Sequence, residues 1–141
     1  MQFDPDNNII KRCAEGMRLE GEGKKDEAMQ LFVQAWNEAA NDFEKFTAAH
    51  YVARHQKSIA DKLQWDHTAL NLALKIKDQD MKEAYPSLYL NIGKCYEDLN
   101  DLNNAQKNYQ LALSFTNFLP GDGYGKMITA GIVNGIERTI K

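Results

Sequence analysis

The sequence predicts an all-α protein built as a stack of helical hairpins. Three observations predict it: apolar residues recur at helical spacing, no useful stretch alternates with period two, and the breakers fall between the apolar segments. Ile9, Ile10, Cys13, Gly16, Met17 and Leu19 form a first stripe, ended by the break EGEGKKD. Ala28, Leu31, Phe32, Ala35 and Trp36 form a second, at i, i+3, i+4, i+7 and i+8. A third helix is expected near 43–57, capped by Asp42 and carrying Phe46, Ala49, Val52 and Ala53. A fourth, near 62–77, holds Leu63, Trp65, Leu70, Ala73 and Leu74. The fifth, near 80–98, contains Tyr89, Ile92, Gly93 and Tyr96, with Pro86 as an early helical residue or a kink. The sixth runs near 102–116 and the seventh near 123–140, after the loop-like stretch LPGDGYG.

The segments repeat one another. Ala35, Ala73 and Ala112 are separated by 38 and 39 residues, Gly16 and Gly93 by 77, and Gly131 follows Gly93 by 38. Gly16 to Ala28 and Gly93 to Ala105 are both 12 residues, and Ala28 to Phe32 and Ala105 to Tyr109 are both 4. A glycine or alanine on one helix lets its neighbour approach closely, while an aromatic fills the space beside it. Neither helix of a hairpin can bury its stripe alone, so hairpins must stack.

With Tyr89, Ile92, Gly93, Tyr96, Ala105, Tyr109 and Ala112 in one repeat, and Gly16, Leu19, Ala28, Phe32 and Ala35 in another, the chain resembles the tetratricopeptide repeat family. It looks like the family's short, stand-alone proteins of bacterial type. The middle repeat is degenerate: Ala53, Leu70 and Ala73 fit with one extra residue in its turn. The resemblance implies a right-handed superhelical stack of three hairpins, about 8–41, 42–78 and 80–117. A capping helix, about 123–140, would close a single domain over 1–141, giving seven helices. The repeat length exceeds the family's usual value of about 34, and no proline stands at the family's closing position. Arg12 and Glu15 are polar where the family is apolar, which suits a solvated first repeat.

Composition narrows the function classes. The net charge is −3, with both signs mixed along the chain, so the basic footprint that nucleic acid demands is missing. No run of about 18 apolar residues is present to span a membrane, and the first residues carry no apolar leader. Cys13 and Cys95 stand alone, which points to a reduced, cytoplasmic protein with both thiols filling core positions. His50, His55 and His67 lack metal-ligand spacing, so neither a metal nor another cofactor is expected. GDGYGK lacks the spacing of a phosphate loop and reads as a flexible link. The carboxylates sit at solvated helix ends with no apolar pocket evident, so no enzyme is expected.

The resemblance implies a different kind of site. In the family, the first helix of each hairpin lines a concave groove that holds a peptide of a partner protein. Carried over, this places Met17, with Ile10, Cys13 and Ala14, in the first repeat. His50, Tyr51, Arg54 and Lys57 fall in the second, and Leu90, Asn91, Lys94 and Glu97 in the third. By the same resemblance Asn91 contacts peptide backbone. Arg54 and Lys94 would make the groove locally positive, suited to an acidic side chain or a C-terminal carboxylate. The lysine and asparagine clamp of chaperone-binding members is absent, since Cys13 and Met17 occupy its positions. The expected function is therefore a non-enzymatic scaffold for a protein or peptide partner. Two alternatives stand beside it: an accessory module of a separate enzyme, such as an ADP-ribosyltransferase, and a structural homodimer.

Overall fold

A computed structural model describes residues 6–140. Among them lie seven α-helices: α1 (Asn8–Gly21), α2 (Lys25–Glu38), α3 (Asp42–Ala53), α4 (Ile59–Lys75), α5 (Tyr85–Asp98), α6 (Leu102–Ser114) and α7 (Gly123–Thr139). Short 3₁₀ helices occupy Gln79–Ala84 and Thr116–Phe118, and no described residue is in a strand. The chain divides into two compact units, Met1–Ile76 and Lys77–Lys141.

The first unit holds the hairpins α1–α2 and α3–α4. Asn7 opens α1, its side-chain oxygen accepting from the amides of Ile9 and Ile10 at 2.8 and 3.2 Å. Its amide nitrogen donates to Glu44 Oε2 at 2.9 Å, which ties the start of α1 to α3. α1 stops at Gly23, whose φ of 81° is left-handed, and the next amide, Lys24 N, returns to Leu19 O at 2.9 Å. That is the glycine-terminated end a helix uses to satisfy its last carbonyls. The cap of α3 is Asn41, accepting from Glu44 N at 2.9 Å, not Asp42, which is already helical. α3 ends at Ala53, short of the expected 57, and Ser58 then caps α4 by accepting from Asp61 N at 3.0 Å. The core joins Ile9, Cys13 and Leu19 of α1 to Ala28, Phe32 and Ala35 of α2 and Ala48 and Val52 of α3. Trp36 and Trp65 pack edge-on against each other across α2 and α4, centroids 5.1 Å apart. Leu74, expected inside, is 47% exposed.

In the second unit a 3₁₀ turn leads into α5, where Pro86 takes an early position that needs no amide donor. α5 ends as α1 does, one double period later: Asn100 takes the left-handed φ of 62°, and Asp101 N returns to Tyr96 O at 2.9 Å. Asp101 then caps α6 by accepting from Asn104 N at 3.2 Å. The stretch GDGYGK is no loose link, since Asp122 caps α7 by accepting from Gly125 N at 3.0 Å. Gly125 is buried, and a Cβ there would run into the carbonyl of Pro120. α7 buries Gly125, Ile128, Ile132, Gly135 and Thr139 against α5 and α6.

The glycines of the repeat do their work through aromatic rings. A Cβ at Gly16 would collide with the ring of Phe32, and one at Gly93 would stand 2.8 Å from ring carbons of Tyr109. The atoms nearest each glycine are therefore ring atoms, rather than the alanines of the facing helix. Gly135 of α7 closes on the other part of the Tyr109 ring, 2.6 Å from Cζ to the would-be Cβ.

Candidate functional site

In the first unit, α1 and α3 are the first helices of their hairpins, and they pack against each other. Between them opens a hollow of about 190 Å³ lined by Ile10, Cys13, Ala14, Met17, Thr47 and Tyr51. Its floor is buried: Cys13 is 2% and Thr47 4% exposed. The Thr47 hydroxyl is spent on the Phe43 carbonyl at 2.9 Å, and burial pushes the Cys13 thiol up to about 11, so it stays neutral. The lining is therefore almost without polar demand. Met17, 45% exposed, stands at its edge as an unbranched, adaptable side chain.

Tyr51 is held rigidly. Its ring stacks on Phe32 at 5.0 Å with an interplanar angle of 13°, and the Arg54 guanidinium lies over it 5.3 Å from the centroid. Burial raises the Tyr51 hydroxyl above its usual range. Arg54 also reaches Glu20 Oε1 at 3.3 Å, while Glu20 Oε2 lies 2.5 Å from His55 Nε2. His50 is partly buried between Phe46 and Tyr51. Desolvation, and then the charge of Arg54, pushes its imidazole below the ordinary value. Lys57 follows the end of α3 and is exposed.

In the second unit, Leu90, Asn91 and Lys94 stand on α5. Leu90 is partly buried and packs against α7, with its Cδ2 3.4 Å from where a Cβ of Gly131 would be. Asn91 is partly buried, and exposed Lys94 pairs with Asp98 one turn along α5 at 2.9 Å. Arg54 and Lys94, the cations expected to attract a carboxylate, thus each have a carboxylate partner within their own unit. The exposed Lys94–Asp98 pair is worth about 0–1 kcal/mol, little enough for a ligand carboxylate to replace it, while the Glu20 end of the Arg54 pair is largely buried.

Sequence reasoning left Glu20 out and gave no structural part to Glu97. Tyr109 Oη donates to Glu97 Oε1 at 2.7 Å, and Arg138 donates to both Glu97 oxygens at 2.9 and 3.1 Å. Hydrogen bonds from Arg138 and then Tyr109 hold the Glu97 carboxyl below the usual range. Glu20 and Glu97 are 77 residues apart, the separation of Gly16 and Gly93. Each is a carboxylate near the end of a hairpin's first helix, taking cations from a later helix. That spacing was the available signal. Among the described residues, no group of three or more His, Cys, Asp or Glu is placed to hold a metal ion. No helix among them is long and apolar enough to cross a membrane.

Paired helices closed by small residues and aromatics, with a soft-lined hollow between the first helices of the first unit, define a fold of helical hairpins. Residues 86–117 match the family described as tetratricopeptide repeat. Its structure is similar to that of PcrH from Pseudomonas aeruginosa, at a TM-score of 0.68 and 17% identity, over 98% of this chain and 96% of that one. That similarity establishes the fold. No curated protein matches the chain.

Proposed function

We propose that the protein is a non-enzymatic scaffold whose α1–α3 hollow takes one medium aliphatic side chain from a segment of a partner protein. The carrying observation is the hollow itself, open to solvent yet floored by buried Cys13 and by buried Thr47, whose hydroxyl is already hydrogen-bonded. A cavity of about 150 Å³ lined by apolar groups admits a benzene-sized guest, so about 190 Å³ suits one aliphatic anchor. Arg54, stacked on Tyr51, exchanges Glu20 for a carboxylate of the bound segment, and Lys57 adds charge beside it. His50 presents its neutral ring, and Met17 adjusts to the anchor. In the second unit Asn91 hydrogen-bonds the backbone of a bound segment, Lys94 takes a carboxylate and Leu90 supplies apolar contact. Both cysteines are buried and neither is in a disulfide, which suits a reducing compartment such as the cytoplasm.

The test is selection from a random peptide library displayed on phage, using the whole chain as bait. Selected peptides should share a Leu, Ile, Val or Met with an acidic residue within a few positions. Ala14→Trp, which plugs the hollow from an exposed position, should abolish binding with the helical circular-dichroism signal intact. Peptides that bind Ala14→Trp and Arg54→Ala as well as wild type would remove the hollow from the mechanism.

A further inference from the structure

The outer face of α7 carries a pattern that its inner, core-forming face does not explain. Lys126, Ala130, Val133 and Glu137 follow one another at spacings of 4, 3 and 4, which keeps them on one stripe. All four are exposed, opposite the buried Gly125, Ile128, Ile132, Gly135 and Thr139. Met127 beside the stripe is 62% exposed and Val133 within it 39%. A largely apolar groove of about 570 Å³ runs along it, with Thr129, Ala130 and Val133 on one bank and Leu119, Pro120 and Gly121 on the other. Neither Lys126 nor Glu137 has an ion-pair partner among the described residues.

The stripe is complementary to itself when reversed. We propose that it pairs with the same stripe on a second copy of the chain, antiparallel, about a twofold axis passing between Gly131 and Ile132. Lys126 of each copy then meets Glu137 of the other, Ala130 meets Val133, and Thr129 meets Asn134. The symmetry supplies both ion pairs from one sequence signal, as an isologous interface requires. A parallel pairing would set Lys126 against Lys126 and Glu137 against Glu137, so charge selects the antiparallel arrangement. Ala130, lacking bulk at the centre, lets the helices come close enough for Val133 to seat. One helix face is a small interface, so the dimer belongs to the weak class below about 1,200 Å². This inference uses a different face from the hollow and does not rest on it.

Sedimentation velocity of the full chain, from micromolar to about millimolar concentration, tests it. A concentration-dependent dimer is expected. Lys126→Glu and Glu137→Lys, singly, should each weaken it by at least about tenfold, because each puts like charges together twice. The double charge swap should restore pairing to near the wild-type constant. Both positions are exposed, and circular dichroism confirms that each variant is folded. A chain that stays monomeric throughout, a dimer indifferent to the single reversals, or a swap that does not rescue would each overturn the proposal.

Discussion

The Tyr109 ring gives the most demanding test of the packing argument. Glycine to alanine inside a helix ordinarily stabilises, by about 1 kcal/mol, through helix propensity. At Gly135 the added methyl would stand 2.6 Å from Tyr109 Cζ and 2.7 Å from both Cε atoms. Carbon atoms prefer about 3.5–4.0 Å, so the ring must retreat by roughly an ångström. It has nowhere to go: Gly93 closes its other part, and the hydroxyl is fixed to Glu97 at 2.7 Å. Overpacking of this kind costs about 1–3 kcal/mol, and the blocked retreat argues for the upper part of that range. Less the propensity gain, Gly135→Ala should destabilise by about 1–2 kcal/mol. Gly21→Ala is the control, since a Cβ there meets nothing within 4 Å, and it should be neutral or stabilising. Urea unfolding followed by far-ultraviolet circular dichroism compares the two. A Gly135→Ala midpoint at or above that of Gly21→Ala would refute the close-approach reasoning. Trimming the ring with Tyr109→Leu should remove the Gly135→Ala penalty, which a double-mutant cycle reads directly.

Three further outcomes are expected. Glu97→Gln should cost about 1–3 kcal/mol at neutral pH by weakening the Tyr109 and Arg138 bonds. Because the Glu97 carboxyl sits below its usual range in the fold, its contribution is present above the unfolded value of about 4.3. It is lost as pH falls through the folded one, so the gap between wild type and Glu97→Gln should close in acid denaturation series. His50 shows a related dependence in another pH range: its depressed imidazole, facing Arg54 at the C-cap of α3 and Lys62 and Asp66 on α4, favours the fold above about 6.5. That stability should decline as pH drops through the folded value, and His50→Phe, which keeps the stacking on Phe46, should flatten this part of the profile. Glu20→Gln should free Arg54 from its 3.3 Å contact and tighten acidic peptides from the library selection severalfold, measured by fluorescence anisotropy.

What was legible in the sequence was what the backbone repeats. Gly16 with Phe32 and Gly93 with Tyr109 keep one separation because each glycine faces one ring, and the same double period returns at the left-handed Gly23 and Asn100. Such pairs are local to a hairpin, so spacing alone exposes them. The helix ends were read less well: Asn41 and Asp42 are both acceptable caps by composition, and only the reach of an oxygen to Glu44 N distinguishes them. Gly131 shows a deeper limit. Its 38-residue offset from Gly93 marked it as the repeat's small residue in α7, yet Gly135 is the glycine that meets Tyr109. A terminal helix packs on the preceding hairpin without a second helix of its own, so the glycine it needs is the one that receives that hairpin's aromatic ring. Charge pairing was hidden for a related reason. Arg54 and Lys94 look alike as cations on first helices, but Lys94 finds Asp98 one turn away while Arg54 finds Glu20 on another hairpin. A periodicity argument shows which face a side chain occupies; the partner waiting there depends on the neighbouring helix. Under the proposed function, binding at the hollow depends on how readily Glu20 releases Arg54. That competition is set between α1 and α3, and no single repeat contains it.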